Sequence, residues 1–170
     1  MIAEKEATRM RDPMQNPFDP LDEARHAIWE MLVQRDIDAF IGADWPMIAG
    51  DFIAENFIGM NGNFDPDPQN WSLSFASLEA YRDEWLRQAA DAQKTEYAED
   101  QRAGIFRATK LEEIELQGPV ALVRKKFDGT IRRADGGADR MLWQTLYTCR
   151  ETPDGWKIAG FVGYLPYAGH

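Results

Sequence analysis

The sequence is poor in the residues that form disulfides and bind metal ions. Its 170 residues include one cysteine, Cys149, and two histidines, His26 and His170. A single cysteine excludes an intrachain disulfide and a cysteine-based zinc cluster. Cys149 lies in a predicted strand with no neighbouring histidine, so we interpret it as a buried structural thiol. The sequence predicts no metal site and no cofactor.

Long apolar segments are also missing. The first twenty residues are charged and carry no apolar run, so they do not resemble a secretory signal. No later stretch approaches the ~18 apolar residues that a membrane-spanning helix needs. We therefore expect a cytoplasmic protein with no membrane partner.

Basic residues are outnumbered, with 29 Asp and Glu against 19 Lys and Arg and a formal net charge of −10. Such a surface repels phosphate backbones and anionic headgroups. The basic runs Arg124-Lys125-Lys126 and Arg132-Arg133 are short and lie among acidic residues. We interpret them as solvated strand and loop positions, and we expect no nucleic-acid partner.

Aromatic residues, in contrast, make up 12% of the chain and recur from Trp29 to Phe161. Because they are spread over the chain, they indicate one core or pocket built by all of it. We expect a single domain over residues 19–170, preceded by a flexible N-terminal arm over residues 1–18, which is charged and contains two prolines.

The first half of the domain carries helix start signals. Asp19-Pro20 combines a capping residue with proline at the first helical position, which predicts a long first helix from there. Either this helix continues past Asp36, which lies midway along the segment, or Asp36 is the N-cap of a separate short helix over residues 37–42. Asp44 and Ser77 predict the starts of two further helices, the first of them over residues 45–54.

The second half alternates with the period of β-strands. A short strand over residues 56–61 lies among the helices, and the remaining predicted strands cover residues 106–117, 120–127, 141–151 and 156–165. Helices followed by a four-strand meander predict an α+β fold with an antiparallel sheet.

The last two strands are apolar on both faces, whereas a sheet with one solvated face alternates apolar with polar residues. We therefore predict that one face packs on the helices and that the other forms a homodimer. The pattern does not decide which face is inside. In the strand over residues 141–151, one face carries Met141, Trp143, Tyr147 and Cys149, and the other carries Leu142 and Leu146. In the strand over residues 156–165, one face carries Trp156, Ile158, Val162 and Tyr164, and the other carries Ala159, Phe161 and Leu165.

Three segments resemble the nuclear transport factor 2-like superfamily, and within it the SnoaL-like (polyketide cyclase/ketosteroid isomerase-like) group. They are RDIDAFIGADW, NFIGMNG and WQTLYTCRETPDGWKIAGFVGYLP, and the similarity covers residues 20–166. The resemblance implies a cone, in which a curved antiparallel sheet carries N-terminal helices on its concave face and encloses a cavity. The superfamily includes isomerases, dehydratases, cyclases and members without known activity, so the fold does not fix the function.

The catalytic positions of the related isomerases are not retained. The resemblance places Asn61 where those enzymes have a general-base aspartate, and Ile28 where they have a tyrosine donor eight residues before the position of Asp36. Those enzymes also have an acid on a late strand that, like the tyrosine, donates a hydrogen bond to the substrate oxyanion, and the position of this acid falls near Tyr147. Because asparagine cannot accept the substrate proton, we do not expect ketosteroid isomerisation.

Four residues are candidates for chemistry, each with an alternative interpretation. His26 is a general base at the pocket mouth or a partly exposed surface histidine. Asp36 presents a carboxylate to a ligand or caps a helix. Asp51 is a pocket acid with a raised pKa or lies on a solvated face. Tyr147 orients a ligand oxygen or lies in the dimer interface.

The aromatic residues predict a mostly apolar pocket that binds a small hydrophobic or aromatic molecule. Our leading hypothesis is a SnoaL-like small-molecule-binding domain. The alternatives are an isomerase-, dehydratase- or cyclase-type enzyme that uses acid–base chemistry, and a structural or partner-binding module whose cone is filled by its own side chains. The expected ligand-binding residues are Trp29, Phe40, Trp45, Phe57, Trp85, Trp143, Tyr147 and Tyr164.

Overall fold

The computed structural model describes residues 11–167, in which a layer of helices packs on a six-stranded sheet. Residues 1–10 of the expected N-terminal arm lie outside the described residues. Within the rest of that arm, Met14 and Phe18 pack against the hydrophobic core. No helix within residues 11–167 is both long and apolar enough to cross a bilayer.

The first helical stretch is continuous from residue 23 to residue 42. It consists of α1 (Glu23–Trp29), a π-helical segment (Glu30–Arg35) and α2 (Asp36–Gly42). The predicted start at Asp19 is wrong. The Asp19 carboxylate accepts the backbone N–H of Leu21 in a preceding turn, and Asp22 caps the helix by accepting from the N–H of Arg25.

The alternative prediction that Asp36 caps a separate helix is also wrong. Its backbone is helical, with φ −61° and ψ −46°, so the helix passes through it without a break. A capping residue needs non-helical dihedral angles to turn its side chain back onto the following N–H groups. The Asp36 side chain instead reaches Lys125 on the sheet.

The other helices begin at capping residues. Asp44 and Ser77 cap α3 (Trp45–Ala49) and α4 (Leu78–Gln93), as predicted, although α3 ends five residues earlier than expected. Asp100 caps α5 (Gln101–Ala108), which the sequence analysis missed because it assigned residues from 106 onward to a strand. This short helix contains Gly104, which weakens the helical pattern but allows close contact with Ile131.

The sheet is mixed. Its strands are β1 (Ile58–Asn61), β2 (Ser72–Phe75), β3 (Thr109–Gln117), β4 (Val120–Arg132), β5 (Ala138–Thr152) and β6 (Gly155–Leu165), in the order β2-β1-β6-β5-β4-β3. The predicted four-strand meander is present as β3 to β6. The expectation of a wholly antiparallel sheet is wrong at one pair, because β1 lies parallel to β6. The short, largely exposed β2 was not predicted.

The predicted grouping of residues in β6 is wrong because the strand is irregular. The pairing shifts between Thr148 and Cys149, which places Tyr147 opposite Phe161 and Cys149 opposite Ile158. Phe161 and Ile158 are therefore both buried on the inner side. A bulge that inserts one residue, here Ala159, reverses the alternation. The neighbouring Gly160 was the local signal, because an isolated glycine inside a strand often marks a bulge.

The fold class is confirmed as α+β, with the helices packed against a curved, unclosed sheet. The main core lies between the first helical stretch and strands β3 to β6. A second cluster joins α2, α3 and α4 through Ala39, Trp45, Ile48, Trp85 and Ala89. The inner face of β5 carries Met141, Trp143 and Tyr147, which settles the question that the sequence left open.

Candidate functional site

A cavity of about 180 Å³ lies between the inner face of the sheet and the helices α2 and α4. Half of its lining residues are aromatic. The ring centroids of Phe127 and Trp143 are 4.7 Å apart, and those of Tyr147 and Phe161 are 5.9 Å apart. The aromatic lining residues are Phe40, Phe75, Tyr81, Trp85, Phe127, Trp143, Tyr147, Phe161 and Tyr164.

The pairing of β4 with β5 sets the floor of the cavity. Val123 lies opposite Tyr147, Lys125 opposite Thr145, and Phe127 opposite Trp143. Because side chains alternate across a strand, every second residue of both strands points to the same face. This register brings the Lys125 ammonium group, the Thr145 hydroxyl and three aromatic rings side by side on the floor.

The prediction that Lys125 is solvated is wrong. We interpreted its basic run as solvated, but only 1% of Lys125 is exposed. Its Nζ lies 2.5 Å from the Leu32 carbonyl oxygen, 3.0 Å from Asp36 Oδ2 and 5.1 Å from the centroid of the Phe127 ring. The alternation of buried residues from Ala121 to Phe127 places position 125 inside, and this was the available signal.

Asp36 reaches the cavity from the end of the π-helical segment. Leu32, whose carbonyl accepts from Lys125, lies in that segment. The Asp36 side chain is 31% exposed and lines the cavity, and Oδ1 has no hydrogen-bond partner among residues 11–167. The lysine and the aspartate therefore present a cation and an anion to the same space.

Two tyrosine hydroxyls add to this polar corner. Burial, followed by the nearby Asp36 carboxylate, raises the pKa of Tyr147 well above its usual value. Burial, Tyr147 and Asp36 raise the pKa of Tyr81 in the same way. Both phenols are therefore neutral at physiological pH. In the part of the chain that the structure describes, neither hydroxyl has a hydrogen-bond partner, so each can donate to a ligand.

The mouth of the cavity lies between α4 and the end of β6. Gln88 Nε2 donates to Tyr164 Oη at 2.9 Å and to Glu84 Oε1 at 3.0 Å. Arg87 binds the same Glu84 carboxylate, and this hydrogen bond lowers the Glu84 pKa to about 2. Burial raises the pKa of Tyr164. Beyond the mouth, an open groove continues along Asn63, Phe64 and Arg87.

Five of the eight expected ligand-binding residues line this cavity, namely Phe40, Trp85, Trp143, Tyr147 and Tyr164. The other three, Trp29, Trp45 and Phe57, lie in the packed core. Trp45 stacks on Phe52, and Phe57 contacts both Phe52 and Tyr81.

Asp36 and Tyr147 are the two predicted catalytic candidates that line the cavity. Asp51 instead forms two 2.8 Å hydrogen bonds with the Arg35 guanidinium. His26 is half-buried on α1 and does not line the cavity. No group of three or more metal-ligating side chains is present within residues 11–167.

Two of the three isomerase-like positions, Ile28 and Asn61, lie outside the cavity, whereas the third, Tyr147, lines it. Ile28 is completely buried in the core. The Asn61 side chain accepts the backbone N–H of Asn63 at 2.8 Å, within the turn after β1. The polar corner here is instead formed by Lys125, Asp36 and the two tyrosines.

Comparisons with known proteins find relatives by structure alone. No family model and no curated protein significantly matches the sequence. A nuclear transport factor 2-like superfamily protein from Salmonella enterica serovar Typhimurium is 14% identical, with a TM-score of 0.56 over 88% of this chain and 94% of that one.

Two further similar structures carry names that refer to an activity. A candidate dehydratase of the same family from Streptomyces avermitilis is 17% identical, with a TM-score of 0.53 over 89% of this chain and all of that one. A candidate aromatic ring hydroxylase from Novosphingobium aromaticivorans is 16% identical, with a TM-score of 0.50 over 84% of this chain and 88% of that one. At these identities the likeness shows the fold.

Proposed function

From the nuclear transport factor 2-like fold of this chain, we propose that it is a SnoaL-like small-molecule-binding domain whose ligand is a hydrophobic or aromatic compound with about one ring. The observation that carries the proposal is the cavity of about 180 Å³ with its aromatic wall. An apolar cavity of about 150 Å³ is large enough to hold benzene. The small size therefore favours a single ring over a steroid-like skeleton.

Polar groups in the cavity would fix the orientation of such a ligand. Lys125, Asp36, Tyr81 and Tyr147 all line it, on one side of the aromatic wall. A few convergent polar groups in an otherwise apolar pocket are typical of small-molecule sites. The ligand is therefore expected to carry one polar substituent on its ring.

Isothermal titration with benzyl alcohol, phenol and toluene tests the proposal. We expect at least one of these probes to bind the wild-type protein, and Thr145→Leu, which fills the floor, to weaken binding about tenfold or more. Thr130→Leu at an exposed position of β4 is the matched control and should bind as the wild type does. A protein that binds none of the probes would instead fit the alternative of a cone filled by its own side chains.

One observation favours an enzyme as a second candidate function. The Asp36 carboxylate and two neutral tyrosine hydroxyls line one cavity, as general acid–base chemistry on a carbonyl compound requires. Asp36 would accept a proton from carbon while a tyrosine donates to the oxygen. Deuterium exchange at the methyl group of acetophenone, followed by NMR, tests this role. Exchange should depend on Asp36 and Tyr147, and a rate equal to that of buffer would contradict it.

We also propose a homodimer through the outer face of the sheet. Ile58, Leu122 and Leu146 are 50%, 50% and 39% exposed there, and Met60 and Val162 lie beside them. Large apolar side chains grouped on one exposed face are typical of an association surface. A groove on this face is lined by two arginines and three glutamates, so the surface carries both signs of charge. These residues are Arg25, Arg124, Glu112, Glu113 and Glu115.

A further inference from the structure

We propose that the Lys125–Asp36 pair makes the cavity selective for an uncharged ligand whose polar group combines a hydrogen-bond acceptor and a donor, as a primary carboxamide does. Carboxylates and cations of the same shape are rejected. The inference rests on the proposed binding function, because it names the chemical class of ligand that the same cavity takes.

The first argument is the charge balance of the cavity. Its charged lining residues are Asp36, Glu84 and Lys125. Glu84 lies at the mouth and is bound by Arg87 at 2.6 Å, which leaves the Asp36 carboxylate and the Lys125 ammonium inside, 3.0 Å apart. Their charges cancel. A charged ligand would therefore meet no net opposite charge among the aromatic rings and would lose part of its water shell there, which is unfavourable.

The second argument is the number of hydrogen bonds that remain to be made. The Lys125 ammonium has three N–H groups, and its protein acceptors are the Leu32 carbonyl and Asp36 Oδ2. One donor is left. Asp36 Oδ1 has no partner among the described residues, which leaves one acceptor beside that donor. A ligand that matches this pair offers an acceptor to Lys125 and a donor to Asp36.

A primary carboxamide meets both requirements within one planar group. Its carbonyl oxygen accepts from Lys125, and its NH₂ donates to Asp36. A carboxylate in the same position turns an oxygen with lone pairs toward Asp36. An amidinium turns an N–H toward the Lys125 ammonium. Like charges or like dipoles at this distance cost binding energy and exclude the wrong ligand.

Three probes of the same shape separate these cases. Benzamide, benzoate and benzamidinium share one ring and one planar substituent and carry charges of 0, −1 and +1. Isothermal titration of the 170-residue protein at neutral pH gives their affinities. We expect benzamide to bind the wild-type protein about tenfold more tightly than either ion.

Substitution of Asp36 should reverse the order. In Asp36→Asn the Lys125 charge is no longer balanced, so benzoate should bind more tightly than benzamide. Asp91→Asn on the exposed face of α4 is the matched control, because it changes the net charge by the same amount outside the cavity. In this variant benzamide should still bind most tightly of the three probes. This result separates the effect of the Lys125–Asp36 pair from that of the overall charge of −10.

Each other outcome overturns the inference. If benzoate or benzamidinium binds the wild-type protein as tightly as benzamide does, or if Asp36→Asn keeps the wild-type order, the pair is structural and does not select the ligand. If the protein binds benzyl alcohol but none of the three probes, the selectivity is wrong and the binding function stands. If no single-ring compound binds, both proposals fail.

Discussion

Lys125 is a buried cation on a strand face that is otherwise apolar. The Leu32 carbonyl, the Asp36 carboxylate and the Phe127 ring surround its ammonium group. A buried charge is stable only when such partners replace its water shell. Lys125 therefore connects the floor of the cavity to the first helical stretch through hydrogen bonds, and the buried ammonium group and the Asp36 carboxylate each need the other to balance their charge.

Removing the lysine alone should destabilise the protein more than removing the pair. Lys125→Met leaves Asp36 beside an apolar group, and we expect it to lower the free energy of unfolding by about 2–4 kcal/mol. The double variant Lys125→Met/Asp36→Leu removes both charges and should lose less. Urea denaturation measures both values. A double variant that is less stable than the single one would contradict this account.

Cys149 is completely buried, and burial raises its pKa from 9.0 to about 12. We expect its thiol to react with iodoacetamide at pH 8 only when the chain unfolds, since the thiolate is the reactive form. Mass spectrometry with and without denaturant measures this. Rapid labelling of the folded protein would show that the strand opens locally.

The same group predicts a loss of stability at alkaline pH. Because its pKa is raised in the folded state, the stabilising effect is complete below pH 9.0 and is lost as the pH rises toward 12. The tyrosines at positions 81 and 147, whose pKa values are also raised, continue the loss above pH 10.0. The urea concentration at the midpoint of unfolding should fall over this pH range, and it should fall less steeply in Cys149→Ala than in the wild-type protein. Equal slopes in both proteins would contradict the role of the thiol.

At the scale of elements, local chemistry explains which boundaries could be predicted. Asp44 and Ser77 were recognised as helix starts because a cap is satisfied within three residues. Asp36 has the same side chain as a cap, but its partner Lys125 lies 89 residues further along the chain. Alternation grouped the cavity residues of β5 on one face but did not decide which face is inside. The irregular register of β6 was not predicted, although Gly160 lies beside the bulge.

The contact of α5 with the sheet depends on a strand glycine. A Cβ at Gly129 would lie 2.6 Å from the Ala108 Cβ and 2.9 Å from its Cα. Gly129→Ala should therefore push α5 away from β4 and lower the stability by about 1–3 kcal/mol. Thermal unfolding followed by circular dichroism measures the change.

Gly50→Ala provides the control for this contact. Gly50 ends α3 with φ −73°, and a Cβ there would meet nothing within 4 Å. We expect its unfolding temperature to stay close to that of the wild type. If both variants lost the same stability, loss of glycine rather than the close approach of α5 would be the cause.

For the whole molecule, the α+β class and the four-strand meander could be predicted from the sequence because the alternation of apolar and polar residues in strands is recognisable without high sequence identity to a known structure. The similar structures share only 14–17% of residues with this chain. The parallel pairing of β1 with β6 and the burial of Lys125 arise from contacts between distant segments. A local pattern carries no information about such contacts, so the polar corner of the cavity had to come from the structure.

The outer face of the sheet carries the last prediction. We expect light scattering after size exclusion to give about twice the 19.4 kDa mass of one chain. Leu146→Lys should give a monomer, because a two-fold interface repeats each substitution and would bring both new charges into an apolar surface. Leu21→Lys, which is 90% exposed and lies outside the sheet, is the control and should remain dimeric.

Salt provides a second test of the same interface. Each chain carries a net charge of −10, so two copies repel each other at low ionic strength. Added salt screens this repulsion over distances of about 10 Å at 0.1 M and leaves apolar contacts in place. The dimer should therefore strengthen as salt increases. A wild-type protein that stays monomeric at high salt, or a Leu146→Lys variant that still dimerises, would place the association surface elsewhere or remove it.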